Sequence, residues 1–522
     1  MSRTRIVRTL LLIVAASAAP SIRMAADVTP QTGDQFPRGY YLRRQRDPRA
    51  FTFRRALIQQ AERIRTARLA VMSRAAGMAP GASAREVVAN DADIAVRGTR
   101  TIPVLPVLFK NTTAKPFNEP DLDARLFGAT GNTMTSFYRD NSYGKLDVRG
   151  KVHPWHQLAN NDTFYEGADF MDRGRTATCN GMCDGAKLPD MLRSALAAVD
   201  STIDFGQFDN DGPDGRPNSG DDDGFADFVA FVQPERGGEC GAPGGGVNRN
   251  IWSHRWTLSS WTGAQEFETN DAAAGSGGKI KVDDYVIMPA VNCDGQTMIH
   301  IGVFAHEFGH AFGLPDLYDT DPNNGASQGD GIWCLMASGS WGGDNKSPEL
   351  PTHMSAWAKV FLGWLQPQLI TTSQSVNLSP VQSGRTAALK IPISTNQYYL
   401  LEYRAAAGFD AKLPSPGLLI WRINDTVVNV GLRTNRVNAD AANKGVDLVE
   451  ADGRNHLDLP GPPSGGGNRG DAGDPYPGSS QNRRLDAASN PKAQGNLSVC
   501  AIGNPAATVA VQVNVGQNAC TP

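Results

Sequence analysis

The chain has 522 residues, of which 40% are hydrophobic, and a formal net charge of −3; that is enough apolar content for more than one core. It holds no phosphate loop, no nucleotide-binding glycine motif and no basic-aromatic stripe, which argues against a nucleic-acid or nucleotide partner. After the first residues, no stretch is long and apolar enough to span a bilayer.

Residues 1–26 read as a secretory signal. Arg3, Arg5 and Arg8 form a basic start, Leu10 to Ala16 a short apolar run, and Ala16-Ser17-Ala18 an A-x-A cleavage site. The mature protein is therefore expected outside the cell. Residues 27–100 have another composition: Phe53, Leu57, Ala61 and Ile64 recur at helical spacing among arginines. Residues 1–100 carry 18 Arg and no Lys against seven acidic side chains, whereas the remainder is net acidic. Opposite charges favour docking, so 27–100 is expected to be a basic helical pro-segment held intramolecularly on an acidic body before activation. Arg97 and Arg100 are the expected processing points.

Residues 101–365 read as the catalytic domain. Thr101 to Phe109 is a buried or edge strand, its prolines arguing for the edge. A helix follows at 133–142, closed by Tyr143-Gly144, then a strand at 145–152 and a helix from Leu188 to Val199 with Met191, Leu192, Ala195, Leu196 and Val199 on one face. The acidic loop Asp209, Asp211, Asp214, Asp221, Asp223 and Asp227 is punctuated by glycines and runs into a strand. Crowded carboxylates there need a counter-ion, and calcium, which takes six to eight oxygens, suits them; position 220 is Gly, so the spacing is not that of an EF-hand. The bland alternative is a solvated acidic turn. Seven cysteines in an exported chain suggest up to three disulfides; proximity favours 179–183 and 500–520, then 240–293, with Cys334 free.

His306-Glu307-Phe308-Gly309-His310-Ala311-Phe312-Gly313-Leu314-Pro315-Asp316 has the form H-E-x-x-H-x-x-G-x-x-D. On a helix, His306 and His310 leave the same face and can meet one zinc ion. Gly313 lets the chain turn and bring Asp316 as third ligand, with Asp319 as its rival. Glu307, beside the open coordination position, is the candidate general base. Bare H-E-x-x-H arises often by chance in amphipathic helices. Here it is followed by Leu335-Met336-Ala337-Ser338-Gly339, where a Met-turn would run beneath the metal. His353 is the candidate oxyanion donor, against the alternative of a helix-capping surface histidine. From about 366 to 522 short alternating strands dominate, at 398–404, 417–423 and 446–450, with a Gly/Pro/Ser loop at 460–467.

The segments 138–144, 306–319, 336–341, 351–364, 417–425, 446–453 and 468–475 together resemble the immune-inhibitor-A family of secreted bacterial metalloproteases. The resemblance implies an α+β, metzincin-like catalytic domain with a zinc-binding helix and Met-turn, followed by a β-rich, β-sandwich-like C-terminal region at 366–522. It implies zinc on His306, His310 and Asp316, general-base chemistry at Glu307, a calcium requirement, and protein or peptide substrates. Cys334 departs from the pattern, since an acidic residue is expected there. The rival readings are a zinc hydrolase of another bond and a non-catalytic surface or adhesion protein; a glutamate that zinc binding does not need argues against the second.

Overall fold

The computed structural model describes residues 37–46 and 95–520, apart from 173, 213, 242–246, 262, 276, 322, 325–326, 385–386 and 462–465. The expected signal peptide, and most of the pro-segment including its 53–64 pattern, lie outside the described residues.

One sheet forms the floor of the N-terminal half. Its strands run in the order Leu146–Val152, Gly98–Leu108, Val229–Arg236, Asp284–Val291 and His254–Thr257. All neighbours are parallel except the last pair, so His254–Thr257 is an antiparallel edge. Of the two readings of Gly98–Leu108, buried or edge, the interior one holds, and the preference for an edge is corrected for a local reason. Pro103 lies just outside the ladder to 229–236, which covers Val104 to Pro106, and Pro106 lies outside the ladders to 146–152 and 156–157. Each proline therefore has a flank on which a missing amide costs no hydrogen bond. Arg100 is paired in register with Val148 and bridged to Asp227 at 2.8 Å.

The expected helices form close to their sequence limits. Met134–Asn141 begins at Thr133, whose hydroxyl accepts the Ser136 amide while the Ser136 hydroxyl accepts the Thr133 amide. It ends where Tyr143 and Gly144 take positive φ. Leu188–Val199 buries Leu188, Met191, Leu192, Ala195 and Leu196 on one face. The helix Ile301–Ala311 is buried along its whole length, with Phe308 against Phe228 at 5.0 Å between ring centroids.

In the C-terminal half, a sheet ordered Gln368–Leu369, Ala388–Pro392, Gln397–Arg404, Gly417–Asn424 and Val446–Leu448 lies beside a three-stranded sheet of Gln374–Leu378, Val509–Val515 and Leu497–Cys500. Successive side chains alternate between two cores. Tyr398, Leu400, Leu419 and Trp421 join the large core that also holds the Ile301–Ala311 helix, whereas Tyr399, Leu401, Leu418 and Ile420 join a smaller one with Val499, Val511 and Val513. Each such side chain contributes about 1.5–3 kcal/mol on burial, so the period-2 pattern fixes both faces of the sheet at once. The three disulfides are Cys179–Cys183, Cys240–Cys293 and Cys500–Cys520, and Cys334 is a buried free thiol.

Candidate metal centre

His306 and His310 lie one helical turn apart on Ile301–Ala311. Each uses Nδ1 on a backbone carbonyl, His306 on Leu335 at 3.0 Å and His310 on Leu314 at 2.7 Å. That choice leaves Nε2 of each ring as the inward atom. The two Nε2 atoms are 3.1 Å apart and lie 3.1 and 3.2 Å from Asp316 Oδ1. In their neutral form both rings present lone pairs to a carboxylate oxygen, so three acceptors face one point. A divalent cation satisfies all three, and the two nitrogens and one oxygen suit zinc. Burial would raise the Asp316 carboxyl, but His310 and His306 outweigh it and hold it far below the usual carboxylate range.

The chain leaves the helix at Gly313, which has φ +103°, and Leu314 N returns to Gly309 O at 3.0 Å. This turn delivers Asp316, which is fully buried. Asn435, in the left-handed region at φ 53°, closes a two-bond clamp: its Oδ1 accepts the Asp316 amide at 2.7 Å and its Nδ2 donates to Asp316 Oδ2. No local pattern in the sequence connects residue 435 with 316. Asp319 stands apart from the three-atom group and accepts the amides of Asp321 and Ser327.

Glu307 is buried at 5% exposure, and its Oε2 has no hydrogen-bond partner among the described residues. Burial pushes its carboxyl up to about 8; His306 opposes the rise, and Asp316 and Glu239 add to it. Glu239, itself buried, accepts the Ser253 amide and hydroxyl at 3.0 and 2.6 Å. The Tyr318 ring lies parallel to that of His306 at 6.4 Å. Beneath the helix, Met336 is fully buried, and a methyl group on Gly309 would lie 2.4 Å from its sulfur. Gly309 occupies a variable position of H-E-x-x-H, so the motif gave no reason to single it out.

His353 is not brought to this centre. It is fully buried, with Nε2 on Asp140 Oδ2 at 3.1 Å and Nδ1 on Lys359 Nζ at 2.8 Å. Both ring nitrogens are committed, and its carbonyl accepts Arg404, so its place is structural. Arg404 also binds the carbonyls of Trp333 and Met354 and the carboxylate of Asp410, tying the C-terminal sheet to the segments on either side of Met336. Cys334 adjoins this junction; its sulfur accepts the Ser355 amide, and burial, then Asp330, pushes its thiol up to about 12.

In the acidic loop the converging set is Asp209, Asp211 and Asp222. Asp222, absent from the expected set, joins Asp209 and Asp211 there, while the other expected aspartates have local partners. Asp227 is paired with Arg100, Asp221 takes the Ser219 hydroxyl at 2.5 Å, and Asp214 and Asp223 accept the Arg216 and Phe225 amides. Asp209 is 1% exposed, its Oδ1 has no partner among the described residues, and burial followed by Asp222 pushes it up to about 8.

A comparison with family models matches residues 121–367 to the immune inhibitor A peptidase M6 catalytic domain. The chain is 35% identical over 240 residues to Immune inhibitor A of Bacillus thuringiensis subsp. alesti, covering 45% of this chain and 32% of that protein. It is 30% identical over 235 residues to the pre-pro-metalloprotease PrtV of Vibrio cholerae, covering 44% and 23%. The match thus spans about a third or less of the relatives' length. The matched segment, a little under half of the chain, is similar to that catalytic domain and contains the whole histidine–aspartate centre, Glu307 and Met336.

Proposed function

We propose that the protein is a secreted zinc endopeptidase that hydrolyses peptide bonds of protein substrates with Glu307 as general base. The observation that carries this reading is the convergence of His306 Nε2, His310 Nε2 and Asp316 Oδ1 beside Glu307, whose buried Oε2 has no hydrogen-bond partner among the described residues. Zinc held there supplies Lewis acidity to a substrate carbonyl and makes a water easier to deprotonate. Glu307 Oε2 is the atom free to accept that proton and to pass it to the departing amine. A carboxyl poised near neutrality by its burial suits a group that must both take and give a proton. The Leu335 and Leu314 carbonyls fix the ring orientations, and Asn435 fixes the carboxylate, so the ligands need no rearrangement.

The pro-segment belongs to the same reading. Its described part, the helix Arg38–Arg46, lies against the domain, with Tyr40 and Tyr41 buried and Arg43 set 3.8 Å over the Trp261 ring. Tyr40 meets Trp256 of the sheet edge at 5.3 Å, and Arg38 bridges Asp172 at 2.5 Å. This position supports a zymogen in which residues 27–100 stay docked until cleavage. The Asp209–Asp211–Asp222 group, with its partnerless buried oxygen, supports a structural calcium site in the acidic loop.

The test compares processed wild type with Glu307→Ala on an unfolded protein, with zinc content recorded. Chelator-sensitive cleavage by wild type, with none by a variant that retains zinc, is the expected result. A zinc-loaded, processed wild type that cleaves no protein refutes the peptidase reading.

A further inference from the structure

Another group of carboxylates gathers in the loops after the strand Val446–Leu448. Glu450, Asp452 and Asp474 each offer an oxygen within 4.8 Å of the others, and Asp452 also approaches His456 and Asp471 in the same way. Glu450 is 2% and Asp474 0% exposed. Glu450 accepts only backbone amides, from His456 at 2.7 Å and Leu457 at 3.0 Å. Asp474 spends Oδ2 on the Trp333 indole and the Asp471 amide, both at 2.8 Å. The other oxygen of this carboxylate, Oδ1, is buried and has no hydrogen-bond partner among the described residues.

Among the described residues, no Lys or Arg forms an ion pair with Glu450 or Asp474. Lys444 is spent on Asp447 and Asp458. Arg454 stands 3.6 Å from Asp452 with 66% of its side chain exposed, where an ion pair contributes little. Burial, then the charge of Asp474, pushes Glu450 up to about 8; burial, opposed by the Trp333 indole, pushes Asp474 up to about 7. At neutral pH the group needs protons or a cation. An all-carboxylate set with backbone-oriented oxygens suits a hard ion that accepts many oxygens, which favours calcium over zinc.

We propose that Glu450, Asp452 and Asp474 form a calcium site, separate from the acidic loop at 209–222, that locks the C-terminal loops onto the segment leading to Met336. Asp474 holds the Trp333 indole, Arg469 O accepts the Ile332 amide at 2.7 Å, and Leu457 O accepts the Gln328 amide at 2.8 Å. Gly470 allows that approach, since a methyl there would lie 2.7 Å from Ile332 Cγ1. An ion joining residues 450 to 474 thus braces residues 328–333 from behind. The zinc centre, on the far side of Met336, gains rigidity without touching the ion.

The test uses the full chain, stripped by chelator and reloaded with zinc, titrated with calcium by calorimetry and with terbium by tryptophan-sensitised emission. Trp333 touches a ligand, so terbium bound here should be excited through it. Asp452→Asn and Asp474→Asn are expected to lose one calcium equivalent and most of the emission, with affinity for that ion lowered by about ten-fold or more. Asp211→Asn, in the other loop, should keep the emission. Trp333→Phe should lose emission while retaining the calcium equivalent. Wild-type stoichiometry in both Asp variants overturns the proposal. If those variants fail to fold, wild-type terbium emission that Trp333→Phe leaves unchanged also overturns it.

Discussion

Gly309→Ala tests whether the metal helix depends on Met336 pressed beneath it. The added methyl would lie 2.4 Å from Met336 Sδ and 3.2 Å from its Cε, where ordinary contact is about 3.5–4.0 Å. Two effects oppose each other. Alanine gains about 1 kcal/mol over glycine in helix propensity. Overpacking a filled core costs about 1–3 kcal/mol, and Met336 is fully buried between Leu335 and Ala337, which are themselves buried. Global stability should therefore fall by no more than about 2 kcal/mol, since the two terms partly cancel. The zinc centre should suffer more, because Gly309 lies between its two histidines and ligand placement must hold within about 0.5 Å. Zinc affinity, read by competition with a chromophoric chelator, should drop about 10–100-fold, with a matching loss of peptidase activity at limiting zinc. Met336→Ala in the same chain removes the clashing atoms and should restore part of the affinity, so the pair should be non-additive by about 0.5–3 kcal/mol. Wild-type affinity in Gly309→Ala, or strict additivity of the pair, refutes the reasoning.

Other perturbations test other links. Asn435→Ala removes the amide clamp on Asp316 and should weaken zinc binding about 10–100-fold while leaving the unfolding midpoint of the zinc-free protein nearly unchanged; an unaltered zinc affinity would mean that Asp316 is held without it. Replacing Cys240 and Cys293 by serine opens a link across 53 residues and should cost about 4 kcal/mol in denaturant unfolding, mainly through the unfolded chain; a loss under about 1 kcal/mol would contradict this. Glu166 and Glu235 give a pH signature. Burial, then Glu235, pushes Glu166 up to about 8, and burial, then Asp162, pushes Glu235 up to about 7. Carboxyls raised on folding bind protons more tightly in the native state, so their stabilisation is complete below the unfolded value near 4.5 and is lost as pH rises through 7 to 8. In chelator, stability should fall by roughly 3 kcal/mol from pH 5 to pH 8, because the pair shares one proton, and Glu166→Gln should flatten that slope. A slope unchanged by the substitution would assign the pH dependence to other groups.

Much of this was legible in the chain itself. Spacing put His306 and His310 on one helical face and placed Gly313 where a turn was needed, because helix geometry is local. Alternation announced the C-terminal strands, and cysteine proximity gave the pairs 179–183 and 500–520, because each rests on residues close in sequence. What failed or was missed depends on distant chain. Thr101 to Phe109 looked like an edge strand, yet its prolines fall in gaps of two different ladders, and only the neighbours' register decides that. His353 follows the Met-turn closely, but Asp140 and Lys359 claim its ring from the helices Met134–Asn141 and Ala356–Phe361. Asp222 joins Asp209 and Asp211 because the loop folds back on itself. Asn435 holds a ligand 119 residues away, and Glu450 meets Asp474 across a loop. The sequence by itself determined the chemistry of the ligands and the helix that carries two of them, since both follow from side-chain type and a 3.6-residue period. Only tertiary structure decided which acidic and amide groups surround them, because burial and hydrogen bonding between remote segments exist only once the chain has closed on itself.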